Sequence, residues 1–346
     1  MTRSTRTATL LDAYALHRAR FSPVGGPLGA LESPCAPSAL SMLLGLTGLG
    51  GNHRIVVSRR GRRFEGALHL LAHGYARRWE VLQTGGPTED EHADCLPDLL
   101  QAATVAAAAA GMEKIVARIG HDDARLAHFE DAGFRPYTQE TVFGQELASE
   151  EPGGGGFGIR PFCKRDKWTL LRLYNAMTPQ NVGNMELMTA HDFLRPFARD
   201  GIVMEVGGEV LAAGGYLPHH PEHAALLRLL VRVDAVAAGE AVVLELTRRL
   251  NARGVQRVLL PVRDYSADCL ATARLAGMAP VMTRAVMVKH TAALVRPPVF
   301  ARLRENPATL PAVNGTRLVH NGAHAPQCRL RNETRPRRRE APVSVA

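Results

Sequence analysis

The chain has 346 residues, of which 46% are hydrophobic and 22% are charged. This balance is typical of a folded globular protein, so a wholly disordered chain is excluded, and the length predicts two domains, or three as the alternative. The formal net charge is +9, and 38 of the 42 basic residues are arginine. Taken alone, that charge predicts an anionic partner such as nucleic acid.

Five cysteines are scattered along the chain without a Cys-x-x-Cys pair. We therefore expect free thiols and a cytoplasmic location, and neither a zinc ribbon nor a disulfide framework. The sequence contains no stretch of 18 apolar residues, and its N-terminal residues lack the features of a secretory signal. No membrane partner is expected on these grounds.

The first half of the chain predicts a hairpin, a third strand and a helix. Apolar stretches on both sides of Gly61 predict two paired strands, and a third strand begins at Arg78. Residues 96–110 then carry apolar side chains at helical spacing. An acidic and glycine-rich stretch, residues 148–156, predicts a flexible linker.

The second half of the chain repeats this order. Its hairpin turns at Gly207 and Gly208, and its third strand begins at Ala225. Residues 237–252 follow with apolar side chains on one helical stripe. The two halves therefore predict the same sequence of elements.

The last part of the chain, residues 293–346, has several prolines and no hydrophobic period, which predicts a disordered tail. From Ala301 onward the tail carries nine arginines and three glutamates, a net charge of +6, which leaves +3 for the other 300 residues. Nucleic acid is therefore not expected as a partner, except non-specifically through the tail, and a solubilising role of the tail is favoured.

Residue-by-residue similarity links the two halves. Residues 111–143 align with residues 254–287, and each stretch reads as a helix end, a strand, a turn, a helix with an Ala-Gly cap, a short strand and a long strand. A repeat of this length predicts a duplicated domain. Glycines at the helix ends predict left-handed backbone; the corresponding pairs are Gly111 with Gly254 and Gly133 with Gly277.

The two copies resemble the C-terminal half of the GNAT N-acetyltransferase superfamily. The stretches DAGFRPY, residues 131–137, and LAGMAPV, residues 275–281, close a helix and open the last hairpin in that family's order of elements. The resemblance covers residues 50–147 and 157–290. It implies an α+β fold of two tandem GNAT-like domains, each a mixed, mainly antiparallel sheet flanked by helices.

The resemblance also implies domain boundaries. The first copy is expected to cover residues 1–147 and the second copy residues 157–292, with the linker between them. No first strand can be placed in the first copy, whose first helices are expected at residues 6–20 and 36–46.

Acetyl-CoA is the cosubstrate that the resemblance implies. In this family a Q/R-x-x-G-x-G/A pattern presents backbone N–H groups at a helix N-terminus to the pyrophosphate. The second copy matches this pattern in part, whereas acidic residues follow Gly85 and Gly86 in the first copy. We therefore expect the second copy to bind acetyl-CoA, through Leu230, Val231, Arg232, Val233, Ala238, Gly239, Glu240 and Ala241.

Within that set, the resemblance assigns different roles. Leu230, Val231 and Val233 would contact the pantetheine arm, and Arg232 would face a phosphate. The small residues of the pattern would let phosphate approach the backbone.

The general acid departs from the family's pattern. Many members carry a tyrosine where this chain has Phe129 and Ala273, and neither side chain donates a proton. Tyr265, at the start of the same helix in the second copy, is the substitute, with a surface role as the alternative. The candidates for the general base, by residue type alone, are Glu80, Asp264 and Glu205.

A histidine cluster precedes the third strand of the second copy. Two histidines four residues apart can share a metal ion when they lie on a helix. Here Pro221 predicts a turn, so no metal site is expected. The histidines are His219, His220 and His223.

The sequence thus favours an acetyl-CoA-dependent N-acetyltransferase that transfers the acetyl group directly to a small-molecule or peptide amine. The acceptor has no signature in the sequence. Because the acid tyrosine is missing and the phosphate pattern is incomplete, the alternative is a non-catalytic GNAT-fold module that binds a ligand or another protein.

Overall fold

The structure, a computed structural model, describes residues 3–24, 52–73, 76–147, 158–186, 188–219 and 223–291. These residues all belong to one compact unit, residues 1–295. The predicted linker, the predicted tail and the helix predicted at residues 36–46 lie outside the described residues, so the domain boundaries stay a prediction.

In the first copy the elements are β1 (Arg3–Thr7), α1 (Ala13–Arg18), β2 (Arg20–Pro23), β3 (His53–Arg60), β4 (Arg63–His73), β5 (Arg78–Gly86), α2 (Glu89–Ala109), β6 (Lys114–Gly120), α3 (Leu126–Asp131) and β7 (Arg135–Glu146). In the second copy they are β8 (Ile159–Pro161), α4 (Asp166–Met177), α5 (Gln180–Glu186), α6 (Ala190–Leu194), β9 (Ile202–Val206), β10 (Glu209–His219), β11 (Ala224–Val231), α7 (Val236–Asn251), β12 (Arg257–Arg263), α8 (Ala267–Leu275) and β13 (Ala279–His290).

The locally encoded elements match their predictions. Both predicted hairpins form, as β3 with β4 and as β9 with β10. The helix predicted over residues 237–252 is α7, within one residue at each end, whereas the helix predicted from residue 96 already begins at Glu89.

All four predicted helix-end glycines have left-handed backbone, with φ between +73° and +88°. At Gly133 the N–H donates to the carbonyl of Glu130, and the N–H of Phe134 donates to that of Phe129. This pair of bonds is the Schellman motif, which satisfies carbonyls that a helix end leaves free. It recurs after Gly111, Gly254 and Gly277.

Two predictions about the strands are wrong. A first strand of the first copy exists: Arg3–Thr7 is β1, and only Ala13–Arg18 of the helix predicted at residues 6–20 is α-helical. After each Ala-Gly cap, one long strand replaces the predicted short and long strands. Register shifts at residues 280–282 and 286–287 interrupt the pairing of β13 with β7, and such bulges let a strand bend within a sheet.

The thirteen described strands form one sheet in the order β1-β3-β4-β5-β6-β13-β7-β12-β11-β10-β9-β8, with β2 attached to β5. Among these described strands, only the pairs β5 with β6 and β11 with β12 are parallel. The predicted fold class, a mixed and mainly antiparallel sheet flanked by helices, is therefore confirmed. Within the described ranges, each helix is too short or too polar to cross a membrane.

The last strand of each copy pairs with the other copy. Strand β13 of the second copy lies between β6 and β7 of the first, and β7 lies between β13 and β12. The two copies thus share the middle of the sheet, while each packs its own helices on its own core. Residues of α2 and α3 contribute to the first core, which also includes Ala285 and Met287 of β13; residues of α7 and α8 contribute to the second, which also includes Phe143 of β7.

A buried ion pair lies where the exchanged strands meet. Arg284 on β13 donates from Nε to Glu140 on β7 at 2.6 Å, and Arg263 on β12 lies 3.4 Å from the same carboxylate. Burial alone would raise the pKa of Glu140, but Arg263, Arg284 and Arg118 hold it below its usual value. Glu140 is therefore ionised and fixes the register of three adjacent strands.

Replacing Glu140 with Gln should lower the free energy of unfolding by about 3–5 kcal/mol, because it removes the charged partner of the buried Arg284 guanidinium. The measurement is the urea unfolding midpoint and slope. Glu146→Gln on the same strand is the control, since its carboxylate is exposed beside Arg257 and should matter by less than about 1 kcal/mol. Equal unfolding midpoints for the two variants would contradict a stabilising role of the buried Glu140 carboxylate.

Candidate active site

Each copy contains a pair of parallel strands that diverge. In the second copy β11 and β12 pair only from Ala224–Arg257 to Leu226–Leu259, so no described strand covers this edge of β11 from residue 227 to residue 231. Pro261 lies beyond the divergence, where β12 has a described neighbour on one side only, and proline is tolerated at such edge-like positions. The divergence leaves unpaired backbone groups facing a gap.

In the first copy the equivalent gap is filled by the chain itself. Strands β5 and β6 pair only at residues 78–80 with 114–116. Beyond that point β2 pairs antiparallel with the freed edge of β5, from Arg20–Gly86 to Pro23–Gln83. The N–H of Val24 extends this pairing by donating to the carbonyl of Leu82.

A glycine and an arginine of the first copy accommodate strand β2 in the gap. A Cβ on Gly85 would lie 2.5 Å from the carbonyl oxygen of Arg20, so only glycine admits β2 at this distance. Arg125 donates to Ser22 Oγ and Thr84 Oγ1 at 2.8 Å and to the carbonyl of Pro23 at 2.9 Å. These contacts clamp β2 in the gap.

The second copy has a different residue at the position of that clamp. Cys269 lies 144 residues after Arg125, in the first turn of α8, and its thiol is within hydrogen-bond distance of the Val231 backbone. Burial raises the pKa of the Cys269 thiol to about 12, so the thiol stays protonated. A small neutral group at this place leaves the gap of the second copy open.

A cavity of about 590 Å³ occupies that gap and continues between the two copies. Its wall in the second copy comes from β11, β12, the first turn of α8 and the helices α4 to α6. Its wall in the first copy comes from β4, β5, β6 and β7. The polar residues that line it include Glu80, Arg118, Tyr174, Glu186, Arg228, Arg263 and Tyr265.

The predicted cofactor residues fall on consecutive parts of this region. Leu230 and Val231 end β11, and Leu230 lines the cavity. Arg232 and Val233 follow the strand and are exposed, and Arg232 forms an ion pair with Glu209. Ala238, Gly239, Glu240 and Ala241 lie in the first turns of α7.

Gly239 has a packing role that the sequence pattern did not indicate. A Cβ there would lie 2.5 Å from Thr272 Oγ1 and 2.7 Å from Val231 Cγ2. The glycine therefore lets α7 approach α8 and β11 closely. The free amides are one turn earlier: Val236 and Ala237 find no backbone acceptor among the described residues. The Asp234 amide donates to Asp268 instead.

Tyr265 lies at the edge of the cavity, between the end of β12 and the start of α8. Burial first, and then the nearby Glu186 carboxylate, raise the pKa of Tyr265 to about 12. Its hydroxyl is therefore protonated at neutral pH. Phe129 and Ala273, at the family's tyrosine position, are both fully buried in the cores of their copies.

Only one of the predicted base candidates lines the cavity. Glu80 does: it pairs with Arg118, and its carboxylate accepts from His73 Nε2 at 3.1 Å. Asp264 is exposed outside it and accepts from Thr138 Oγ1 at 2.6 Å. Glu205 pairs with Arg160 near the opposite edge of the sheet.

The histidine cluster is described only in part. The side chains of His219 and His220 lie outside the described residues, and His223 is exposed with a φ of +46°.

Glu186, which sequence reasoning missed, joins several cavity residues. Its carboxylate accepts from Arg263 at 2.6 Å and lies 3.3 Å from the Tyr174 hydroxyl and 3.5 Å from that of Tyr137. It comes from α5, whose short sequence carries no motif that marks it. Only the packing of α5 against the central strands identifies it.

A second missed feature was readable from spacing. Arg6 pairs with Asp12 in the first copy, and Arg160 with Asp166 in the second, both six residues apart. In each copy the same aspartate also accepts from a backbone N–H three residues before it, that of Thr9 or Cys163. This repeated Arg-x5-Asp pair would have located β1.

No family model matches the chain, and no curated protein matches it either. Solved structures match its fold. A GCN5-related N-acetyltransferase from Sphaerobacter thermophilus is 18% identical and covers 86% of this chain and 97% of its own, with a TM-score of 0.54. A tandem GNAT protein from the clavulanic acid biosynthesis pathway is 14% identical and covers 84% and 99%, with a TM-score of 0.50. The chain therefore has the tandem fold of GNAT acetyltransferases.

Proposed function

We propose that this protein transfers an acetyl group from acetyl-CoA to an amine, with a single acetyl-CoA site in the second copy. The observation that carries the proposal is the contrast between the two gaps. The freed edge of β11 borders an open cavity, whereas β2 already pairs with the freed edge of β5. A strand edge can pair with one extended partner only.

The residues of the second copy fit the cosubstrate in three parts. The edge of β11 up to Val231 offers backbone groups to an extended amide-bearing arm. The free amides of Val236 and Ala237, at the N-terminus of a 16-residue helix, suit a pyrophosphate. Arg232 adds a cation beside them, while Asp234 and Glu240 oppose anion binding there.

Acetyl-CoA would supply the thioester carbonyl that the amine attacks. An N–C bond forms and the C–S bond breaks; the amine loses one proton and the sulfur gains one. Tyr265 holds its proton at neutral pH and borders the cavity, so we assign it the donation to sulfur. Positioning of the amine supplies much of the remaining rate.

Calorimetric titration should give one acetyl-CoA per chain. Ala237→Glu places a carboxylate at the free amides of α7 and should weaken binding at least tenfold. Ala252→Glu, exposed at the other end of the same helix, is the control and should bind as the parent does. Absence of binding to the parent would instead favour a non-catalytic module.

The β2 strand should keep the first copy closed. Arg125→Ala removes its two contacts to β2, at Ser22 and Pro23, and its contact to Thr84 on β5, so the amides of residues 83–86 should exchange hydrogen faster with solvent. Arg135→Ala is the control, because within the described part of the chain Arg135 donates only to the carbonyls of Glu130 and Phe134. Unchanged exchange in Arg125→Ala would contradict the clamp.

Tyr265→Phe should lower kcat by about tenfold to a hundredfold and leave the Kd for acetyl-CoA unchanged, because it removes a proton donor and little contact area. Tyr14→Phe, at an exposed tyrosine of the first copy, is the control. A parent-like kcat in Tyr265→Phe would contradict the proton-donor role and leave Tyr265 as a surface residue.

A further inference from the structure

The cavity carries more positive charge than its own acids neutralise. Five arginines line it: Arg78, Arg118, Arg195, Arg228 and Arg263. Its histidines do not add to this charge at neutral pH, because burial lowers the pKa of His73 to about 4 and also lowers that of His53.

The buried acids of the cavity are already paired. Glu80 forms an ion pair with Arg118, and Glu186 forms one with Arg263 at 2.6 Å. Glu140 forms an ion pair with Arg284, which is buried and does not line the cavity. The remaining lining acid, Asp192, is exposed; it accepts from Thr189 Oγ1 at 2.7 Å and lies 3.6 Å from His191 Nδ1.

Three arginines have no such partner. Among the described residues, neither Arg228 nor Arg195 has a carboxylate within ion-pair distance. The guanidinium of Arg78 donates to the backbone carbonyl of Glu186, which carries no net charge, and its buried Nε has no acceptor there. A partly enclosed wall with unpaired guanidinium groups attracts anions strongly.

Arg228 lies on the face of β11 away from the proposed cosubstrate helix. Leu227, Leu229 and Val231 pack against α7, whereas Leu230 packs against α4 and α6. Side chains alternate along a strand, so Arg228 shares the face of Leu230. The pyrophosphate of acetyl-CoA, placed at the N-terminus of α7, therefore does not account for Arg228.

We propose that the acceptor is an amine that also bears a carboxylate, which Arg228 binds with support from Arg195 and Arg78. This inference rests on the proposed function. Guanidinium groups match carboxylates in shape and charge. The surplus positive charge also disfavours a protonated amine, so the bound amine is the neutral nucleophile that acetyl transfer requires.

The test uses the full chain and two matched probes, glutarate and its uncharged diamide glutaramide, in calorimetric titrations with and without CoA. Glutarate should bind and glutaramide should not. Arg228→Gln should weaken glutarate binding about tenfold, Arg228→Lys should weaken it less, and Arg172→Gln, at an exposed arginine of α4 outside the cavity, should leave it unchanged.

The outcomes separate this inference from the function on which it rests. Equal binding of both probes, no binding of glutarate, or parent-like binding by Arg228→Gln would overturn the carboxylate assignment. Acetyl-CoA binding is titrated in the same samples. If the parent chain does not bind acetyl-CoA, the proposed function is overturned. If Arg228→Gln still binds acetyl-CoA, the variant is folded.

Discussion

The pairing of Glu140 with Arg284 is the contact on which the arrangement of the two copies depends. The two residues are 144 apart, the separation at which the copies correspond, so equivalent positions of the copies bond to each other. A contact between equivalent positions is the mark of a two-fold relation, here within one chain. Because both partners are buried, neither strand can slip by one residue without leaving a charge unpaired.

That exchange of strands places the two gaps in one sheet, yet the described residues fill only one of them. Equivalent positions of the two copies carry different side chains: Arg125 holds β2 in the first copy, whereas Cys269 occupies that position in the second. Gly85 admits the strand that Arg125 holds. A few local contacts thereby make the duplicated fold asymmetric. The acidic residues at the start of α2 agree with the proposal that the first copy binds no pyrophosphate.

Sequence patterns located the parts of this fold whose signals are local. The helix ends could be located from their glycines, because left-handed backbone is costly for other residues. The hairpins could be located because their turns and their alternating patterns involve only a few neighbouring residues. The exchange of β7 and β13 escaped prediction since strand order depends on contacts between residues more than a hundred positions apart. Strand β1 escaped because its five residues are polar, although the Arg6–Asp12 spacing marked it. Gly239 was located correctly in α7, but its packing against Thr272 required the third dimension.

Alternation along β11 divides the proposed chemistry between two faces of one strand. Leu227, Leu229 and Val231 contribute to the core beneath α7, so that face fixes the helix whose amides suit a pyrophosphate. Arg228 points to the other face, toward the helices α4 to α6 and the paired charges contributed by both copies. The strand backbone itself borders the gap between them. Acceptor recognition can therefore change at position 228 without repacking α7, and the shared sheet lets the first copy shape the acceptor site although its own gap is closed.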